Sequence, residues 1–526
     1  MLTRAAFGLE ADPLHVECHL SGGLPGTTVV GLAEGAVKEA RDRVKSAIRN
    51  SGFHYPTSHV TLNLAPSHLT KSGTAFDLPI AIAILAASEQ IPTDALIDTE
   101  FVGELSLFGD LRETSNLLAS AIACDSANHR LFLPLANHTE IALVGSDKSW
   151  PAANLYEVTQ MLCGRREKPT MVAANVPDAV TTTGRFNEII GQYQAKRALT
   201  IAAAGGHHML MVGPPGTGKT MLAECLIDLL PDLDKPAALA VASIYSAFGI
   251  RRTNTMRPPL RRPHHSASNA SMSGGGHVPT PGEVSLAHRG VLFLDELPHF
   301  KPSTLDLLRE PIETGEIAIA RARYRTVLPS RFQLIAAMNP CPAGRSCKEQ
   351  TCRCTSSQVQ RYQTRISGPL LDRIDLHVPV PELDEALMQR RHQNAFKSDQ
   401  ADLQRARTNV RLAQDQQRLQ HGCLNANLSN KALAQRISEA NFKPAFLADV
   451  CKKLELSMRS YHKVWRVALT IADLEHAALS PEPQQDRHHR SSVNAVTEQH
   501  FMEALSYRTM TWGAPKVKPA ARSDTH

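Results

Sequence analysis

The stretch Gly213-Pro214-Pro215-Gly216-Thr217-Gly218-Lys219-Thr220 decides the fold of this chain. It follows a short apolar run, Met209 to Val212, which predicts a buried strand, and it precedes Met221 to Leu230, which predicts a helix. A glycine-rich turn between a strand and a helix is the context in which the pattern G-x-x-x-x-G-K-[ST] binds phosphate. A chance glycine turn is the alternative interpretation, and the match at every position of the pattern argues against it.

Each residue type in this stretch suits a bound nucleoside triphosphate. Glycines let the backbone curl until successive N–H groups point at one cluster of phosphate oxygens, and the helix that follows adds the positive end of its dipole. We expect Lys219 to bridge the β- and γ-phosphates and the Thr220 hydroxyl to hold Mg²⁺, so the predicted cofactors are ATP and Mg²⁺. The residues predicted to bind the nucleotide here are Gly213, Pro214, Pro215, Gly216, Thr217, Gly218, Lys219, Thr220 and Met221.

The bulk composition is that of a globular protein. The chain has 526 residues, 42% apolar and 21% charged, a length that suggests about three domains of ~150 residues each. A net charge of +6 permits an anionic partner without establishing one. The most apolar stretch, Leu78 to Ala87, is well short of the ~20 residues of a membrane span and predicts a buried helix instead, and the amino terminus leads into no long apolar run. We therefore expect a cytoplasmic protein without membrane segments.

Two later apolar runs end in polar residues that suit the same chemistry. Gly290 to Glu296 predicts a buried strand that delivers two carboxylates at its carboxyl end, where parallel sheets place ligands. We expect Asp295 to hold Mg²⁺ and Glu296 to orient and polarise the attacking water. Phe332 to Met338 is a third strand-like run, and Asn339 after it is placed to bond the γ-phosphate or the water. Since Asn339 precedes a proline, a plain turn is the alternative there.

Residues 1–165 alternate strand-like and helix-like segments, with Phe101 to Phe108 among the strand-like ones, and have no phosphate loop of their own, which predicts an α/β domain. Four short motifs in them resemble the amino-terminal domain of the ComM/YifB family of magnesium-chelatase-like proteins: Gly23-Leu24-Pro25, Val30-Gly31-Leu32, Asn63-Leu64-Ala65-Pro66 and Phe76-Asp77-Leu78-Pro79. The resemblance implies a fold similar to the peptidase domain of Lon, which uses a serine–lysine pair. Ala75 stands at the serine position and Leu118 at or near the lysine position, so we predict a role in assembly or partner contact without peptidase activity. Lys71 and Ser72 leave a displaced dyad as the alternative.

Two arginines resemble functional arginines of AAA+ ATPases. Leu370-Leu371-Asp372-Arg373-Ile374-Asp375 is similar to the segment with the arginine finger, which neutralises charge on the phosphoryl group transferred in a neighbouring subunit. A surface pair of Arg373 with an adjacent aspartate is the alternative. Ser457 to Lys463 is similar to the second-sensor helix, with Arg459 reaching the γ-phosphate and Arg466 as the runner-up. The resemblance implies a homo-hexameric ring.

The motifs divide the chain into two α/β domains, a helical lid and connecting segments. Ile189-Ile190-Gly191-Gln192 resembles the AAA+ segment that covers the adenine, so the second domain is expected to begin near Phe186. The predicted boundaries are 1–165 for the Lon-peptidase-like domain, 166–185 for a linker, 186–384 for an AAA+ core of magnesium-chelatase type, 385–513 for a solvated connector and helical lid, and 514–526 for a disordered basic tail.

Segments between the motifs decide what such an ATPase acts on. Arg257 to Ser266 is basic and proline-rich, Ser271 to His277 predicts a flexible loop, and Ile317 to Val327 alternates like a β-hairpin with arginines on both sides of its turn. In the magnesium-chelatase-like branch that the chain resembles, insertions at the last two places face the central channel. We expect contacts with the DNA backbone, because arginines bind phosphate and Tyr324 alone is available for stacking. Contacts between subunits are the alternative.

Four cysteines lie close together, at Cys341, Cys347, Cys352 and Cys354. Four thiolates are a ligand set of structural Zn²⁺. Relatives often have a further cysteine where this chain has Ala343, and Cys352 and Cys354 are close for one tetrahedron. Reduced thiols are therefore the favoured interpretation, with structural Zn²⁺ as the alternative.

The resemblance covers nearly the whole chain and implies an AAA+ ATPase. ComM members of the family act as DNA helicases that promote branch migration while transforming DNA is integrated into the chromosome. Three other functions stay open: metal-insertion chaperoning as in magnesium chelatase, ATP-dependent proteolysis, and a nucleotide switch without a motor. Ala75 and Leu118 disfavour proteolysis, and the lack of an evident D-x-S-x-S signature disfavours a self-sufficient chelatase.

Overall fold

The computed structural model describes most of the chain. The described residues are 1–30, 34–66, 69, 74–169, 186, 189, 191–250, 252, 255–275, 280–320, 325–344, 354–382, 399–440, 457–479 and 495–508. Several predictions made above concern residues outside these ranges, namely Lys71, Ser72, Cys347, Cys352 and Tyr324, most of the linker 166–185, and the tail 514–526.

The first 165 residues form an α/β unit around a seven-stranded sheet. Its order is β3-β4-β2-β1-β5-β8-β9, and β1, β2 and β4 pair antiparallel whereas the other neighbours are parallel. The strands are β1 Leu2–Phe7, β2 Glu10–Ser21, β3 Gly26–Val30, β4 His59–Ala65, β5 Thr99–Phe101, β6 Glu104–Leu105, β7 Leu111–Arg112, β8 Arg130–Pro134 and β9 Ser149–Ala152. The helices are α1 Glu34–Asn50, α2 Asp77–Ala87, α3 Leu117–Ser126, α4 His138–Ile141 and α5 Leu155–Leu162.

The apolar helix predicted at Leu78 to Ala87 is confirmed as α2, a buried helix of this unit. Its first residue, Asp77, is buried and accepts a hydrogen bond from Arg43 Nε at 2.8 Å, which offsets the cost of a buried carboxylate. The strand expected over Phe101 to Phe108 is divided instead, because β5 and β6 are separate and belong to different ladders.

The phosphate loop belongs to a second, five-stranded sheet that is entirely parallel, in the order β11-β14-β17-β10-β18. The strands of this part are β10 Met209–Val212, β11 Leu260–Arg261, β12 Gly274–Gly275, β13 Thr280–Pro281, β14 Val291–Leu294, β15 Glu316–Ala320, β16 Arg325–Pro329, β17 Gln333–Met338 and β18 Leu376–Pro379. The helices are α6 Tyr193–Gly205, α7 Lys219–Leu229, α8 Lys235–Ala247, α9 Asn269–Ser273, α10 Glu283–Leu286, α11 Pro302–Leu307, α12 Arg309–Thr314, α13 Ser356–Gln363 and α14 Gly368–Leu371. Since all five strands run the same way, their carboxyl ends form one edge, where ligands bind in sheets of this class.

The expectation of a flexible loop at Ser271 to His277 is wrong for its described part. Residues 269–273 form α9, and Met272 in this helix is fully buried. β12 then pairs with β13, and Gly274 is required at this crossing because a β-carbon there would lie 2.3 Å from the carbonyl oxygen of Thr280. The hairpin expected at Ile317 to Val327 is confirmed as β15 and β16.

The carboxyl-terminal helices pack on α6 and share its core. They are α15 Asp399–His421, α16 Asn430–Glu439, α17 Met458–Leu479 and α18 Glu498–Ser506. The expectation of a solvated connector is wrong at α15, because Leu403, Val410 and Ala413 are buried and Gln414 donates to the Ala203 carbonyl at 2.8 Å. The polar composition of the segment conceals this face in the sequence, since a glutamine can be buried when its amide is bonded.

Short 3₁₀ turns connect some of these elements, at Asp94–Leu96, Leu135–Asn137, Leu297–His299 and Asn425–Asn427. In the part of the chain that the structure covers, no helix has both the length and the apolar character that a membrane crossing requires.

Candidate nucleotide site

The phosphate loop begins where β10 ends, at the carboxyl edge of the parallel sheet. Gly213 packs against the chain beyond β18 so closely that a β-carbon there would lie 2.1 Å from the carbonyl oxygen of Val380. Gly216 and Gly218 have φ angles of 79° and 86°, a region that residues with side chains rarely adopt. α7 begins at Lys219, so the predicted helix is confirmed and starts two positions earlier than expected.

Lys219 lies beneath the loop with its side chain buried. Its ammonium group donates hydrogen bonds to the carbonyl oxygens of Gly213 at 2.8 Å and Pro214 at 2.7 Å, and to Asn339 Oδ1 at 3.2 Å. Burial lowers the pKa of Lys219, and the carboxylates of Asp295 and Glu296 oppose this shift. Asn339 follows β17, the strand next to β10, so sheet order brings these two predicted residues together.

Thr220 and Asp295 also meet at this edge. Thr220 Oγ1 donates to Asp295 Oδ2 at 2.8 Å, and Asp295 follows β14. A hydroxyl and a carboxylate are oxygen ligands of the kind that Mg²⁺ takes, and phosphate oxygens and water complete such sites. The donor set therefore fits Mg²⁺ bound with a nucleotide, and the assignment of these two residues to the metal stays a prediction.

Glu296 has a conformation that is uncommon outside glycine, with φ 51° and ψ 47°. Its half-exposed carboxylate lies near two histidines: Oε2 is 3.6 Å from Nδ1 of His265 and 3.9 Å from Nδ1 of His299. The His264 ring lies 4.0 Å from that of His265, centroid to centroid. Sequence reasoning missed these histidines, and the available signal was an adjacent pair shortly after the edge strand β11.

Arg373 and Arg459 lie at the opposite edge of the sheet from the loop. Pairing of β10 with β18 aligns Met209 with Leu376 and Val212 with Pro379, so Arg373 precedes the amino end of this ladder. The four paired positions span roughly 10 Å at the rise of a parallel strand. Among the described contacts, neither arginine bonds the phosphate loop of its own chain.

Both arginines bond the carboxylate of Glu313 at the end of α12. Arg373 Nη2 lies 2.8 Å from Glu313 Oε1, and Arg459 Nη2 donates to the same oxygen. Arg373 Nη1 also donates to the Pro369 carbonyl at 2.7 Å. The alternative interpretation was an ion pair between Arg373 and an adjacent aspartate. The structure shows an ion pair with Glu313 of α12. Sequence reasoning missed it, since an exposed acid on a short helix has no distinguishing pattern.

A buried ion pair attaches the segment that contains Arg373 to helix α17, which carries Arg459, and these two parts are called the arginine frame below. Lys463 Nζ donates to the carbonyl oxygen of Arg373 at 2.7 Å and to Asp375 Oδ1 at 2.5 Å. Burial alone would raise the pKa of Asp375, but the Lys463 ammonium, with His207 and His208, holds it well below its usual value. The runner-up Arg466 is used differently, since it donates to the Leu428 carbonyl at 2.7 Å inside the helical bundle.

Three family models match successive parts of the chain. "Magnesium chelatase, subunit ChlI" matches residues 185–388, "Subunit ChlI of Mg-chelatase" matches 16–137, and "Magnesium chelatase, subunit ChlI C-terminal" matches 400–485. Competence protein ComM of Haemophilus influenzae is 42% identical over 515 residues, which is 97% of each chain. The uncharacterized protein YifB of Escherichia coli is 42% identical over 517 residues, 97% of this chain and 96% of that protein.

The chain belongs to the ComM/YifB family of magnesium-chelatase-like proteins. The magnesium-chelatase 38 kDa subunit of Rhodobacter capsulatus is a more distant relative, 28% identical over 174 residues, 30% of this chain and 50% of that protein. Membership of this AAA+ family implies an ATPase with ATP and Mg²⁺ as cofactors.

The zinc alternative gains no support in this ComM/YifB member. Cys341 is buried after β17, and Cys354 is partly exposed before α13. Cys347 and Cys352 lie outside the described residues. Within the described ranges, no three histidine, cysteine, aspartate or glutamate side chains are grouped to hold a metal ion.

Several arginines expected to contact DNA bond carboxylates of their own chain. In the basic segment 257–266, the three pairs are Arg257 with Asp228 at 2.6 Å, Arg261 with Glu283 at 2.7 Å, and Arg262 with Glu224. These guanidinium groups are paired within the chain in this structure, and the expected contact of the segment 257–266 with DNA stays a prediction. The hairpin arginines Arg321 and Arg323 lie outside the described residues.

The two positions of the Lon dyad share one apolar cluster. Leu118 is fully buried in it, and Ala75 packs against it. Both side chains are hydrocarbon, so no nucleophile and no base stands at either position. The likeness to Lon remains a prediction from the sequence.

Proposed function

We propose that this chain is an ATP-driven motor that moves DNA junctions during homologous recombination in natural transformation. One observation carries the proposal. The loop, Lys219, Thr220, Asp295 and Asn339 converge at one sheet edge in a chain that matches a competence protein over nearly its full length. This edge supplies the chemistry of ATP hydrolysis, and the relative supplies the biological setting.

The residues at the edge have distinct tasks in hydrolysis. Lys219 and the amino end of α7 stabilise negative charge on the phosphates, and Thr220 with Asp295 holds Mg²⁺. Glu296 orients the attacking water, which requires its carboxylate to turn from His265 toward the γ-phosphate. Asn339, already bonded to Lys219, positions the γ-phosphate or the water.

Arg373 and Arg459 act together on the nucleotide of a neighbouring chain in a six-membered ring. Their position at the edge opposite the loop supports this role, because a side chain there cannot reach its own triphosphate. Both arginines bond Glu313, so their guanidinium groups lie side by side, and this supports a shared task. Arg459 is therefore proposed to sense the neighbour's γ-phosphate.

The β15–β16 hairpin is the element proposed to contact DNA. Ile317, Ile319 and Leu328 pack in the apolar cluster of the ATPase sheet, so the hairpin lies against that sheet. Its sequence carries Arg321, Arg323 and Arg325, which suit backbone phosphates and predict binding that weakens with salt. Contacts of this kind are independent of base sequence.

The decisive experiment combines ATPase rate, junction movement and assembly mass. We expect four-way DNA to stimulate hydrolysis by the purified protein, and the protein with ATP to move the junction as a ring of six chains. Lys219→Ala should abolish both activities, because the phosphates lose their principal cation. Lys235→Ala, outside the loop at the start of α8, is the matched control. Junction movement that survives Lys219→Ala would refute the motor.

A second candidate function is metal-insertion chaperoning, and the matches to magnesium-chelatase models favour it. That function predicts ATPase stimulation by a tetrapyrrole with partner subunits and no response to DNA. Parallel assays with four-way DNA and with a tetrapyrrole separate the two functions.

A further inference from the structure

Glu313 lies at the point where α12 passes into the β15–β16 hairpin. Gly315 follows with φ 74° and accepts a hydrogen bond from Ser330 N at 2.8 Å, which closes the base of the hairpin. Thr314 Oγ1 donates to the carbonyl oxygen of Glu316, the first residue of β15, at 3.0 Å. The end of α12 and the hairpin base therefore form one bonded unit.

The arginines that bind Glu313 belong to a different unit. Lys463 ties the backbone at Arg373 to α17, and Arg459 lies one turn earlier in the same helix. Arg508 strengthens this frame, because it donates to the Ile374 carbonyl at 2.6 Å and to Ser460 Oγ at 3.0 Å. The Glu313 carboxylate joins this frame to the hairpin unit.

Arg373 and Arg459 share the one carboxylate of Glu313. The Glu313 and Arg459 side chains are each about half exposed, whereas the Arg373 side chain is 10% exposed and lies behind the carboxylate. A phosphate carries more negative charge than a carboxylate and takes guanidinium groups in the same fork geometry. A phosphate that arrives at this place therefore competes with Glu313 for both arginines.

We propose that Glu313 couples the nucleotide bound by the neighbouring chain to the position of the β15–β16 hairpin. This inference rests on the proposed function, because it needs a ring in which Arg373 and Arg459 meet a neighbour's γ-phosphate. With the γ-phosphate present, the arginines bind it and release Glu313. After hydrolysis they return to the carboxylate, and the hairpin base regains its tie to the frame.

Hydrogen exchange of the full-length ring tests the coupling without DNA. Amide exchange over residues 316–329 is compared in saturating ATPγS and in ADP. We expect at least a twofold difference between the two nucleotides in the wild-type protein and no difference in Glu313→Gln. Glu310→Gln, an exposed acid one turn earlier on α12, should behave as wild type. Glu313→Asp keeps the charge but is too short to reach both arginines, so it should lose the difference even if Glu313→Gln folds poorly.

A nucleotide-dependent difference that persists in Glu313→Gln overturns the proposal, as does its absence from the wild-type protein. Failure of the DNA motor gives a separate result. In that case DNA does not stimulate the ATPase activity of the wild-type protein. The exchange comparison is unaffected, because it is carried out without DNA.

Discussion

Gly213 illustrates how a neighbouring strand fixes a residue type in the loop. The pattern of the sequence identified this glycine as part of a phosphate loop, and the structure adds that the Val380 carbonyl leaves no room for a side chain. Glu296 illustrates the converse, because its role was predicted from the strand before it, whereas the histidines beside it were not. The role of a single residue can be predicted when it belongs to a local sequence motif. The residues that contact it come from distant parts of the chain and cannot be predicted in this way.

We expect Gly213→Ala to damage nucleotide binding and stability together. The new methyl group would lie 2.1 Å from the Val380 oxygen, so β10 and the segment after β18 must separate, at a cost of about 1–3 kcal/mol. Chemical denaturation and binding of a fluorescent ATP analogue measure the two effects. Gly22→Ala is the control, since a β-carbon at that position would have no atom within 4 Å. Equal behaviour of the two variants would contradict the packing argument.

At the scale of elements, the parallel sheet gathers the nucleotide site and the Lys463–Asp375 pair attaches the helical bundle to it. The sequence predicts the strands and their polar ends, because buried strands and turns are locally encoded. Strand order and register are long-range properties, so the sequence could not show that Arg373 pairs with Glu313 before the amino end of the β10–β18 ladder. The same holds for the internal pairing of Arg257, Arg261 and Arg262.

Lys463→Met should destabilise the protein by about 3–5 kcal/mol, because it leaves the buried Asp375 carboxylate without its cation. The double variant Lys463→Met with Asp375→Leu should recover much of that loss, since no buried charge then remains. Urea denaturation of both variants and the wild-type protein measures the difference. A double variant no more stable than the single one would show that the charge balance of the pair is not what matters.

At the scale of the whole molecule, two α/β units and a helical bundle are assembled around apolar cores that the sequence located well. The buried helix α2, the hairpin and the loop-bearing strand were all predicted. The buried face of α15 was not, because glutamines that bond backbone groups look like solvent-exposed residues in a sequence. The joint site of Arg373, Arg459 and Glu313 was also missed, since it brings together segments far apart in the chain.

Mild acid should destabilise the ATPase core. Burial lowers the pKa of His208 to about 4, of His288 to about 3 and of His377 to about 4. Their ordinary pKa is about 6.5, so the unfolded state binds protons first as the pH falls. Stability is therefore complete above about pH 6.5 and decreases toward pH 4, by on the order of 1–2 kcal/mol per histidine at pH 5.

Urea denaturation at pH 7 and pH 5 measures this loss. His288→Asn is the matched variant, because an amide oxygen can replace Nδ1 as the acceptor for Arg331 N without titrating. Its stability should change less between the two pH values than that of the wild-type protein. An identical pH dependence would exclude His288 as a source of the acid sensitivity.

The opposite placement of the loop and the arginine pair has a consequence for mixed assemblies. In a ring, a chain that lacks Lys219 still offers Arg373 to its neighbour, and a chain that lacks Arg373 still holds ATP. Two variants that are inert when pure should therefore regain partial activity when their chains are co-assembled. Such complementation between two inactive variants is expected if, as proposed, each catalytic centre is divided between two polypeptides.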